Sequence, residues 1–531
     1  MVLDRERWQE KRRRVVQYLD LAESVVEQIR QGSEVSEALR RNPLPGGGHL
    51  GKNALVAAYH RMVAEGKIAP DPQLLARLRL KPVRTSSGVT TVTVLTKPYP
   101  CPAKCIFCPT EENMPKSYLA DEPGARRAVE HHFDPYDQVF SRMQALAEVG
   151  HPTEKIELLI LGGTWSAYRR DYQEWFIRRC FDAMNGVPSA TLAEAFSLNE
   201  TAAHRNVGLV IETRPDEITA EELIWLRRLG VTKVQMGAQS FDDEILALNR
   251  RGHTVGQTRQ AVNLLRRAGF KIVLHWMPNL LGATPEKDRR DFQRMWEGFC
   301  PDEIKIYPTQ LLENTELYTI WKAGGYRPYT TQELIELLVE IMPTIPRYCR
   351  VNRVIRDIPS TYVVEGNKVT NLRQEVDREL QRRGMRCQCI RCREIGQRPL
   401  DPRRLRTESL VYSTDVSEEH FLSFVTEEDY LAGFLRLSLP QEGGRNAFIE
   451  ELREAALIRE VHVYGQSLEL GQAQPGAAQH RGLGTRLLRW AERLARERGY
   501  PRLAVISAVG TRQYYLQRGF RRGELYLIKD L

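Results

Sequence analysis

Short apolar runs and longer amphipathic stretches alternate between residues 88 and 345. The apolar runs are rich in Val and Ile and predict six strands, at 89–96, 155–163, 206–213, 231–237, 271–278 and 303–309. The stretches between them, such as 134–150, carry apolar residues at helical spacing. Strands that alternate with helices predict an α/β fold with a parallel sheet, and six units favour a partial (β/α)6 barrel. An open doubly wound sheet is the alternative, and either fold binds ligands at the carboxyl ends of its strands.

The segments on either side of this region follow other patterns. Apolar residues at helical spacing predict a helical module at the amino end, with helices near 15–29 and 52–65. A connector rich in Pro and Arg follows the region of alternating strands and helices. The last part has an α+β pattern, in which a long strand at 456–464 precedes a strong helix at 482–498 and one strand at 520–528 closes the chain. These patterns predict four domains, at 1–80, 81–345, 346–406 and 407–531.

The composition excludes several classes of protein. The 531 residues are 42% hydrophobic and 27% charged, which is typical of a globular protein of roughly three or four domains. No run approaches about 18 apolar residues, so no membrane span is predicted, and the amino terminus lacks the apolar core of a secretory signal. The net charge is +9, and residues 1–84 hold 16 Lys and Arg against 10 Asp and Glu. This positive excess suits binding to a nucleic acid, with a solvated surface as the alternative.

Three cysteines follow the first predicted strand. Cys101, Cys105 and Cys108 have a C-x3-C-x2-C spacing within PYPCPAKCIFCPT. Three thiolates at this spacing can hold a four-iron–four-sulfur cluster and leave one iron open to a small molecule. The alternative is a zinc site with a distant fourth ligand. Because the nine cysteines of the chain are clustered in this way, we expect metal ligation in a reducing cytoplasm.

A second group of cysteines lies in the connector. Cys387, Cys389 and Cys392 stand within RCQCIRC. A structural zinc ion requires four ligands. We expect Cys349, which belongs to the same connector, to supply the fourth, with a histidine as the alternative. Reduced free thiols in a linker are the competing interpretation.

A glycine-rich loop directly precedes the strong helix near the carboxyl end. The loop reads QHRGLG at 479–484. Backbone N–H groups at the start of a helix, with no side chains in the way, form a cradle for a pyrophosphate. Tyr514 and Tyr515 follow on the next short helix, where packing in the core is the alternative to a role in the site.

These motifs resemble those of known families. The first cysteine loop, placed after the first strand of a parallel barrel, resembles the radical S-adenosylmethionine superfamily. The glycine loop, placed after a long strand, resembles the GNAT acetyltransferases. The fusion of both resembles the catalytic subunit of Elongator in its bacterial or archaeal form. That resemblance runs from about Lys81 to Leu531 and includes KPVRTSSGV (81–89), GHPTEKIELLILGGTW (150–165), IETRPD (211–216), HVYG (462–465) and GTRQYY (510–515).

The resemblance implies two bound cofactors, S-adenosylmethionine on the open iron and acetyl-CoA on the glycine loop. The residues that it assigns to S-adenosylmethionine end the second to fourth strands: Gly162, Gly163, Thr164, Glu212, Gln235 and Gln239. Thr164 replaces an acid of the superfamily, so we expect that contact to be weaker or made by the backbone. The residues assigned to acetyl-CoA are Lys155, Glu460, Val461, His462, Val463, Gln479, Arg481, Gly482, Leu483, Gly484, Thr485 and Tyr515. Lys155, Tyr514 and Tyr515 are the expected catalytic residues at the thioester.

The resemblance also implies a reaction on tRNA. A deoxyadenosyl radical would take hydrogen from the methyl group of acetyl-CoA, the carbon radical would add to C5 of the wobble uridine, and thioester hydrolysis would leave a carboxymethyl group. We expect the anticodon stem-loop to contact Lys11, Arg12, Arg13 and Arg14, and we expect no requirement for accessory subunits. The alternatives are a protein lysine acetyltransferase with a structural iron–sulfur domain, a tRNA methylthiolase and a tRNA-binding scaffold.

Overall fold

The computed structural model describes residues 18–45, 47–80, 85, 87–396, 398, 400–464 and 482–531. No helix in these ranges is long and apolar enough to cross a membrane. The chain divides into two compact units, one formed by Met1–Thr90 with Phe140–Lys155 and the other by Thr91–Val139 with Ile156–Leu531.

The first unit contains a small bundle of helices, as predicted for the amino end. Its helices are α1 (Leu19–Arg30), α2 (Val35–Arg41), α3 (Lys52–Ala64) and α4 (Pro72–Leu78). Val25, Ile29 and Leu55 are fully buried in its core. Asp71 caps α4 by accepting hydrogen bonds from two backbone N–H groups of its first turn. The predicted RNA contacts, Lys11 to Arg14, lie outside the described residues.

The second unit contains a curled parallel sheet that forms a half-barrel. Its strands are β1 (Thr90–Leu95), β2 (Lys155–Leu161), β3 (Arg205–Thr213), β4 (Lys233–Gln239), β5 (Lys271–Trp276), β6 (Glu303–Ile306) and β7 (Arg350–Val354), and they pair in this order. The six predicted strands are confirmed. The seventh, β7, lies within the predicted connector and pairs parallel to β6. Its sequence RVNRV lacks a continuous apolar run, and its two arginines form ion pairs with Glu394 and Asp357.

Helices connect the strands of the half-barrel, as the amphipathic stretches predict. They are α5 (Pro123–Glu130), α6 (Pro135–Ala147), α7 (Arg170–Asn185), α8 (Leu192–Asn199), α9 (Ala220–Arg228), α10 (Asp243–Leu248), α11 (Val255–Arg267), α12 (Pro285–Arg294), α13 (Glu316–Lys322) and α14 (Thr331–Ile341). Two further helices, α15 (Leu372–Arg382) and α16 (Ile390–Arg393), follow β7. Several begin at a Thr whose side chain accepts a backbone N–H, as Thr254 does for α11.

A second, mixed sheet occupies the carboxyl end of the chain, as predicted. Its strands are β8 (Arg406–Ser413), β9 (Ser417–Val425), β10 (Leu431–Pro440), β11 (Ala455–Val463), β12 (Arg502–Val505), β13 (Arg521–Arg522) and β14 (Leu527–Asp530), in the spatial order β13-β14-β12-β11-β10-β9-β8. The predicted closing strand is therefore two short antiparallel strands. Helix α17 (Leu483–Glu497) packs Leu487 and Ala491 into the core of this domain, and α18 (Arg512–Leu516) follows β12.

Strand β11 diverges from one of its neighbours. It pairs with β10 as far as Val463. In the part of the chain that the structure describes, β12 pairs with β11 only from Ala455 to Ile458. The backbone of Arg459–Val463 therefore has one edge that no described strand occupies, beside the start of α17.

Candidate functional site

The first cysteine cluster follows β1 at the carboxyl end of the half-barrel. Cys101, Cys105 and Cys108 are half-exposed free thiols. The hydroxyl of Thr164 lies 3.7 Å from Cys101 Sγ, and the Arg251 guanidinium donates to Cys105 Sγ at 3.4 Å. Burial and the neighbouring Cys105 raise the pKa of Cys108 to about 11. Thiols from one loop thus face the cavity end where parallel barrels bind ligands.

The sulfur atoms of this loop are not gathered around one point as those of the second cysteine cluster are. Among the described residues, the set of three ligand groups that lie within 4.8 Å of one another is Cys387, Cys389 and Cys392, and the first cysteine loop does not form such a set. In a cubane cluster each thiolate binds a different iron, so the sulfur atoms stand farther apart than around one zinc ion.

Two glycines at the end of β2 bring the backbone close to this loop. Gly162 has φ +132° and Gly163 has φ +100°, which side chains rarely adopt. A Cβ on Gly162 would also collide with the Thr96 hydroxyl. Packing within the protein therefore requires Gly162, whereas a Cβ on Gly163 would meet only an ordinary contact, at 3.6 Å from a carbonyl oxygen, so its positive φ is the constraint there.

The polar residues predicted on β3 and β4 meet around a histidine. His275 Nε2 lies 3.0 Å from Gln235 Oε1, and His275 Nδ1 lies 3.7 Å from Glu212 Oε1. The Tyr118 hydroxyl donates to the other oxygen of Glu212 at 3.3 Å. Burial, followed by the charges of Lys305 and nearby arginines, lowers the pKa of His275 well below its usual value. The ring is therefore neutral at pH 7, and its one N–H donates from Nε2 to Gln235 Oε1.

Gln239 has a buried side-chain oxygen that suits a ligand contact. Its Oε1 atom is buried and has no hydrogen-bond partner among the described residues. Its backbone has φ +69°, which is unusual for a residue other than glycine. Buried polar atoms are almost always hydrogen-bonded, so this one fits a site in which a bound group donates to it.

His275 and Arg251 were not among the site residues predicted from the sequence. His275 is a polar residue inside the apolar run of β5, and that interruption was the available signal. Arg251 donates through Nε and Nη2 to the carbonyl oxygen of Gly237, at 3.2 and 2.6 Å, as well as to Cys105. A buried guanidinium beside the cysteine loop suits an anionic group such as an amino-acid carboxylate.

The predicted acetyl-CoA residues surround the start of α17. Glu460 to Val463 lie on the diverging part of β11, and Gly482 precedes the helix. A Cβ on Gly484 would lie 2.5 Å from the hydroxyl of Tyr514, so a side chain here would require that ring to shift. Arg518 lies 3.6 Å from the centre of the Tyr514 ring and donates to Thr485 at 3.2 Å. Gln479 and Arg481 lie outside the described residues.

The two predicted tyrosines have different surroundings. Tyr514 is half-exposed beside the glycine loop, whereas Tyr515 is 7% exposed and packs in the core against Phe520, with ring centres 5.6 Å apart. Burial raises the pKa of both hydroxyl groups. The geometry therefore puts the Tyr514 hydroxyl at the loop and the Tyr515 ring within the core. Lys155, the third predicted catalytic residue, is the half-buried first residue of β2.

Strand β11 is bound to the amino ends of the barrel strands. Lys271, the first residue of β5, lies 2.5 Å from carboxylate oxygens of both Glu460 and Glu303. Although burial opposes it, the charges of Lys271 and Arg436 lower the pKa of Glu460 to about 2. The two predicted sites thus lie at opposite ends of the same barrel strands, in one compact unit.

Further buried charges join the second sheet to the half-barrel. Arg459 on β11 donates to Asp302, which precedes β6, at 2.5 Å, and Arg436 on β10 lies 3.3 Å from the same carboxylate. Asp302 and Arg459 have fully buried side chains. Although burial opposes it, the two guanidinium groups hold the pKa of Asp302 well below its usual range.

The second cysteine cluster forms a compact triad. The ligand atoms of Cys387, Cys389 and Cys392 all lie within 4.8 Å of one another, and Arg373 donates to Cys392 Sγ at 3.4 Å. Cys349, the predicted fourth ligand, lies outside this set. Its thiol is directed at a backbone carbonyl 3.9 Å away, and its own carbonyl accepts from the N–H of Ile390 at 2.9 Å. The triad could bind a metal ion.

Comparisons with known proteins identify both domains. The Radical SAM superfamily matches residues 99–294, the Radical_SAM C-terminal domain matches 301–382, and the Acetyltransferase (GNAT) family matches 390–520. A tRNA uridine(34) acetyltransferase of Methanocaldococcus infernus is 41% identical over 86% of this chain and 88% of that protein. The protein of the same description from Dehalococcoides mccartyi is 43% identical over 84% of this chain and 99% of its own length. The chain belongs to the tRNA uridine(34) acetyltransferase and Elongator complex protein 3 family.

Solved and eukaryotic members of this family extend the agreement. The human Elongator complex protein 3 is 35% identical over 86% of this chain and 87% of that protein. The structure described as the archaeal Methanocaldococcus infernus Elp3 with N-terminus deletion (1-46) matches with a TM-score of 0.74 and 38% identity, over 84% of this chain and 99% of that one. Membership of the radical SAM superfamily implies S-adenosylmethionine and a four-iron–four-sulfur cluster, and acetyl-CoA fits the acetyltransferase domain.

Proposed function

We propose that this enzyme carboxymethylates C5 of the wobble uridine in tRNA, with acetyl-CoA as the source of the two added carbons. Family membership over most of the chain supports the tRNA substrate and the acyltransferase class. The observation that carries the proposal is the direct bonding of Lys271 in the half-barrel to Glu460 on β11. It joins the strand expected to hold acetyl-CoA to the barrel that carries the cysteine loop.

The residues at the cysteine loop have distinct tasks in this proposal. When bound, the cluster and S-adenosylmethionine supply a carbon radical that can take hydrogen from an unactivated methyl group. Arg251 would pair with the methionine carboxylate, and Gln239 would accept a hydrogen bond through its unpartnered Oε1. Glu212 would accept from the ribose hydroxyls, held in place by the hydrogen bond that it accepts from Tyr118. A neutral His275 adds no repulsion to a cationic sulfonium ligand.

The acetyltransferase domain would hold the thioester. Backbone N–H groups from Gly482 to Thr485 open α17 and would bind the pyrophosphate of acetyl-CoA. The backbone of Glu460 to His462, beyond the part of β11 that pairs with β12, would pair with the pantetheine amides, as an added strand does. Tyr514 would act near the thioester, and Lys155 and Tyr515 remain predicted partners there. Replacement of the C5 hydrogen of uridine by the acetyl carbon requires the loss of one proton and one electron, and the cluster could accept that electron. Hydrolysis of the thioester by water would then leave the carboxymethyl group.

The positions of the two sites set the route of the acyl group. Strand β5 has six residues, so at about 3.3 Å per residue its ends stand roughly 17 Å apart. We propose that the acyl end of the cofactor passes inside the half-barrel between β11 and the cysteine loop. The buried polar side chains between the two ends include Lys271, Glu303, Gln235 and His275.

Three further assignments complete the proposal. Cys387, Cys389 and Cys392 hold a structural zinc ion, with a fourth ligand from Cys349 after a side-chain rotation or from a histidine. Lys11 to Arg14 contact the tRNA backbone. The enzyme works in the cytoplasm without accessory subunits, and its domains follow the four predicted ranges except that β7, within 346–406, belongs to the half-barrel.

An anaerobic assay of the purified chain tests this function. The chain is incubated with reductant, S-adenosylmethionine, acetyl-CoA and either tRNA or histone tails, and products are measured by mass spectrometry. Carboxymethyluridine in the tRNA is the expected product. The variant Cys105→Ala should lose it entirely and keep its affinity for acetyl-CoA. Acetyl-lysine in the peptide without any change in uridine would instead identify a protein acetyltransferase.

A further inference from the structure

A stack of aromatic rings stands beside the first cysteine loop. Tyr99 lies two residues before Cys101 in the sequence. Its ring stacks on Tyr168 with centres 4.6 Å apart and planes 30° apart, and Tyr168 stacks on Tyr172 at 5.2 Å and 22°. Trp175 continues the series, with its ring centre 5.6 Å from that of Tyr172. Four rings thus lead from the cysteine loop to the surface.

Hydrogen bonds fix the central rings of this stack. The Tyr168 hydroxyl lies 2.7 Å from the carbonyl oxygen of Lys97 and 3.2 Å from that of Gly162. The Tyr172 hydroxyl accepts the backbone N–H of Lys97 at 3.2 Å. Tyr168 is 5% exposed. Tyr99, by contrast, is half-exposed. A half-exposed ring on a rigid support is a preorganised surface, which loses little entropy when a flat ligand stacks on it.

Positive charge accompanies the stack. The Lys97 ammonium lies 4.8 Å from the centre of the Tyr172 ring, and Lys97 is exposed. Lys104, between the first two cysteines, is exposed as well. Arg169 is already paired with Asp171 at 2.6 Å. Aromatic platforms with adjacent lysines are the arrangement that single-stranded nucleic acids bind, through stacking of bases and contacts to phosphates.

We propose that Tyr99 binds a base of the single-stranded anticodon loop next to the wobble nucleotide, and that Lys97 contacts its phosphate. This inference rests on the proposed function and names the RNA contact at that same site. A base delivered to the cysteine loop must leave its own stack, and a neighbouring base that stacks on Tyr99 would hold the loop in that splayed form. A face-to-face series of rings suits a base better than a protein side-chain partner.

The variants Tyr99→Leu, Tyr99→Phe and Lys97→Met test this inference by binding of an anticodon stem-loop RNA at several salt concentrations. Tyr99→Leu should weaken binding roughly 10-fold at every salt concentration, and Tyr99→Phe should bind as the unchanged enzyme does. Lys97→Met should reduce the slope of log affinity against log salt by about 1. Tyr430→Leu is the matched control, since Tyr430 is a half-exposed tyrosine with Arg398 3.9 Å from its ring centre in the other domain.

An RNA without the base next to the wobble position provides a second arm. This RNA should bind to the unchanged enzyme as weakly as the intact RNA binds to Tyr99→Leu. Removal of the base should cause no further loss of affinity for Tyr99→Leu, because the two changes remove the same contact. Equal binding of intact RNA by Tyr99→Leu and the unchanged enzyme would overturn the inference. So would a Tyr99→Leu enzyme that binds RNA normally but accepts electrons more slowly from an acidic one-electron carrier protein. Carboxymethyluridine formed by the unchanged enzyme reports separately on the proposed function.

Discussion

At the amino ends of the barrel strands, buried charges are matched with opposite charges, whereas at the carboxyl ends polar groups remain available. Lys233 bonds to Glu157 at 2.5 Å and lies 3.3 Å from Glu303, and Lys271 bonds to Glu303 and Glu460. At the other end, Gln239 carries a buried oxygen without a hydrogen-bond partner in the described part of the chain. The first end has the features of an interface between domains, and the second has those of a ligand site.

The difference follows from the cost of burying charge. A buried ion pair adds little net stability because desolvation offsets the attraction, but removal of one partner is costly. The matched end therefore fixes the position of β11 more than it stabilises the fold. At the carboxyl end an unmatched polar atom lowers stability, and a bound ligand can remove that cost. Variants at the two ends should consequently fail in different ways.

The largest expected effect is on stability at the matched end. Asp302→Asn removes the buried carboxylate charge that Arg459 and Arg436 share and leaves each guanidinium with one other carboxylate, Glu419 and Glu460 respectively. The free energy of unfolding should fall by about 3 kcal/mol. Urea unfolding of the iron-free protein measures it. Asp415→Asn is the control, because its partner Arg259 is exposed and the expected loss is about 0–1 kcal/mol. Similar losses for both variants would contradict the role assigned to the buried pairs.

The next effect depends on pH. The pKa of Glu460 is held at about 2, below its usual 4.5. The contribution of its carboxylate to the free energy of unfolding is therefore complete above pH 4.5 and declines as the pH falls toward 2. Glu460→Gln should lower the free energy of unfolding by about 2 kcal/mol at pH 7, and by roughly 1 kcal/mol less at pH 3.5. A difference from the unchanged protein that stays constant over this range would show that Glu460 does not titrate as its pairing with Lys271 requires.

A third effect concerns the helix that carries the tyrosines. Glu200, from the half-barrel, lies 3.3 Å from Arg512, accepts from Gln513 at 2.9 Å, and binds Arg522 on β13. Glu200→Gln should raise the Kd of acetyl-CoA roughly 10-fold, because α18 loses charge-assisted bonds that position Tyr514. The rate at which the enzyme cleaves S-adenosylmethionine in the absence of acetyl-CoA should not change. The variant Glu194→Gln, on an exposed carboxylate of the same helical region, should leave both unchanged.

The smallest effect is expected at the ligand end. Gln239→Asn tolerates the positive φ but withdraws the unpartnered oxygen by one methylene. The affinity for S-adenosylmethionine should fall roughly 5-fold, as for one lost hydrogen bond, while the free energy of unfolding stays within about 0.5 kcal/mol. Isothermal titration and urea unfolding measure the two quantities. A large loss of stability with no loss of affinity would contradict the assignment of the carboxyl ends of the strands as the ligand site.

Local patterns in the sequence were sufficient for much of this structure. The six apolar runs, the helix after the glycine loop and both cysteine clusters are each confined to a few consecutive residues, so spacing alone locates them. Strand β7 was missed because three of its five residues, Arg350, Asn352 and Arg353, are polar and no apolar run marks it. The pairing of Lys271 with Glu460 joins residues 189 positions apart, and no local pattern reports it. The different surroundings of Tyr514 and Tyr515 likewise depend on the packing of α17 and β14.

Transfer of isotope between the two sites tests the central claim most directly. Acetyl-CoA with a fully deuterated methyl group is supplied with tRNA, reductant and S-adenosylmethionine, and the 5′-deoxyadenosine and tRNA nucleosides are analysed by mass spectrometry. If both sites act on one acyl group, deuterium appears in 5′-deoxyadenosine and the remaining label appears in carboxymethyluridine. Formation of 5′-deoxyadenosine that contains no deuterium, together with unlabelled uridine, would contradict this account and leave two sites that work independently.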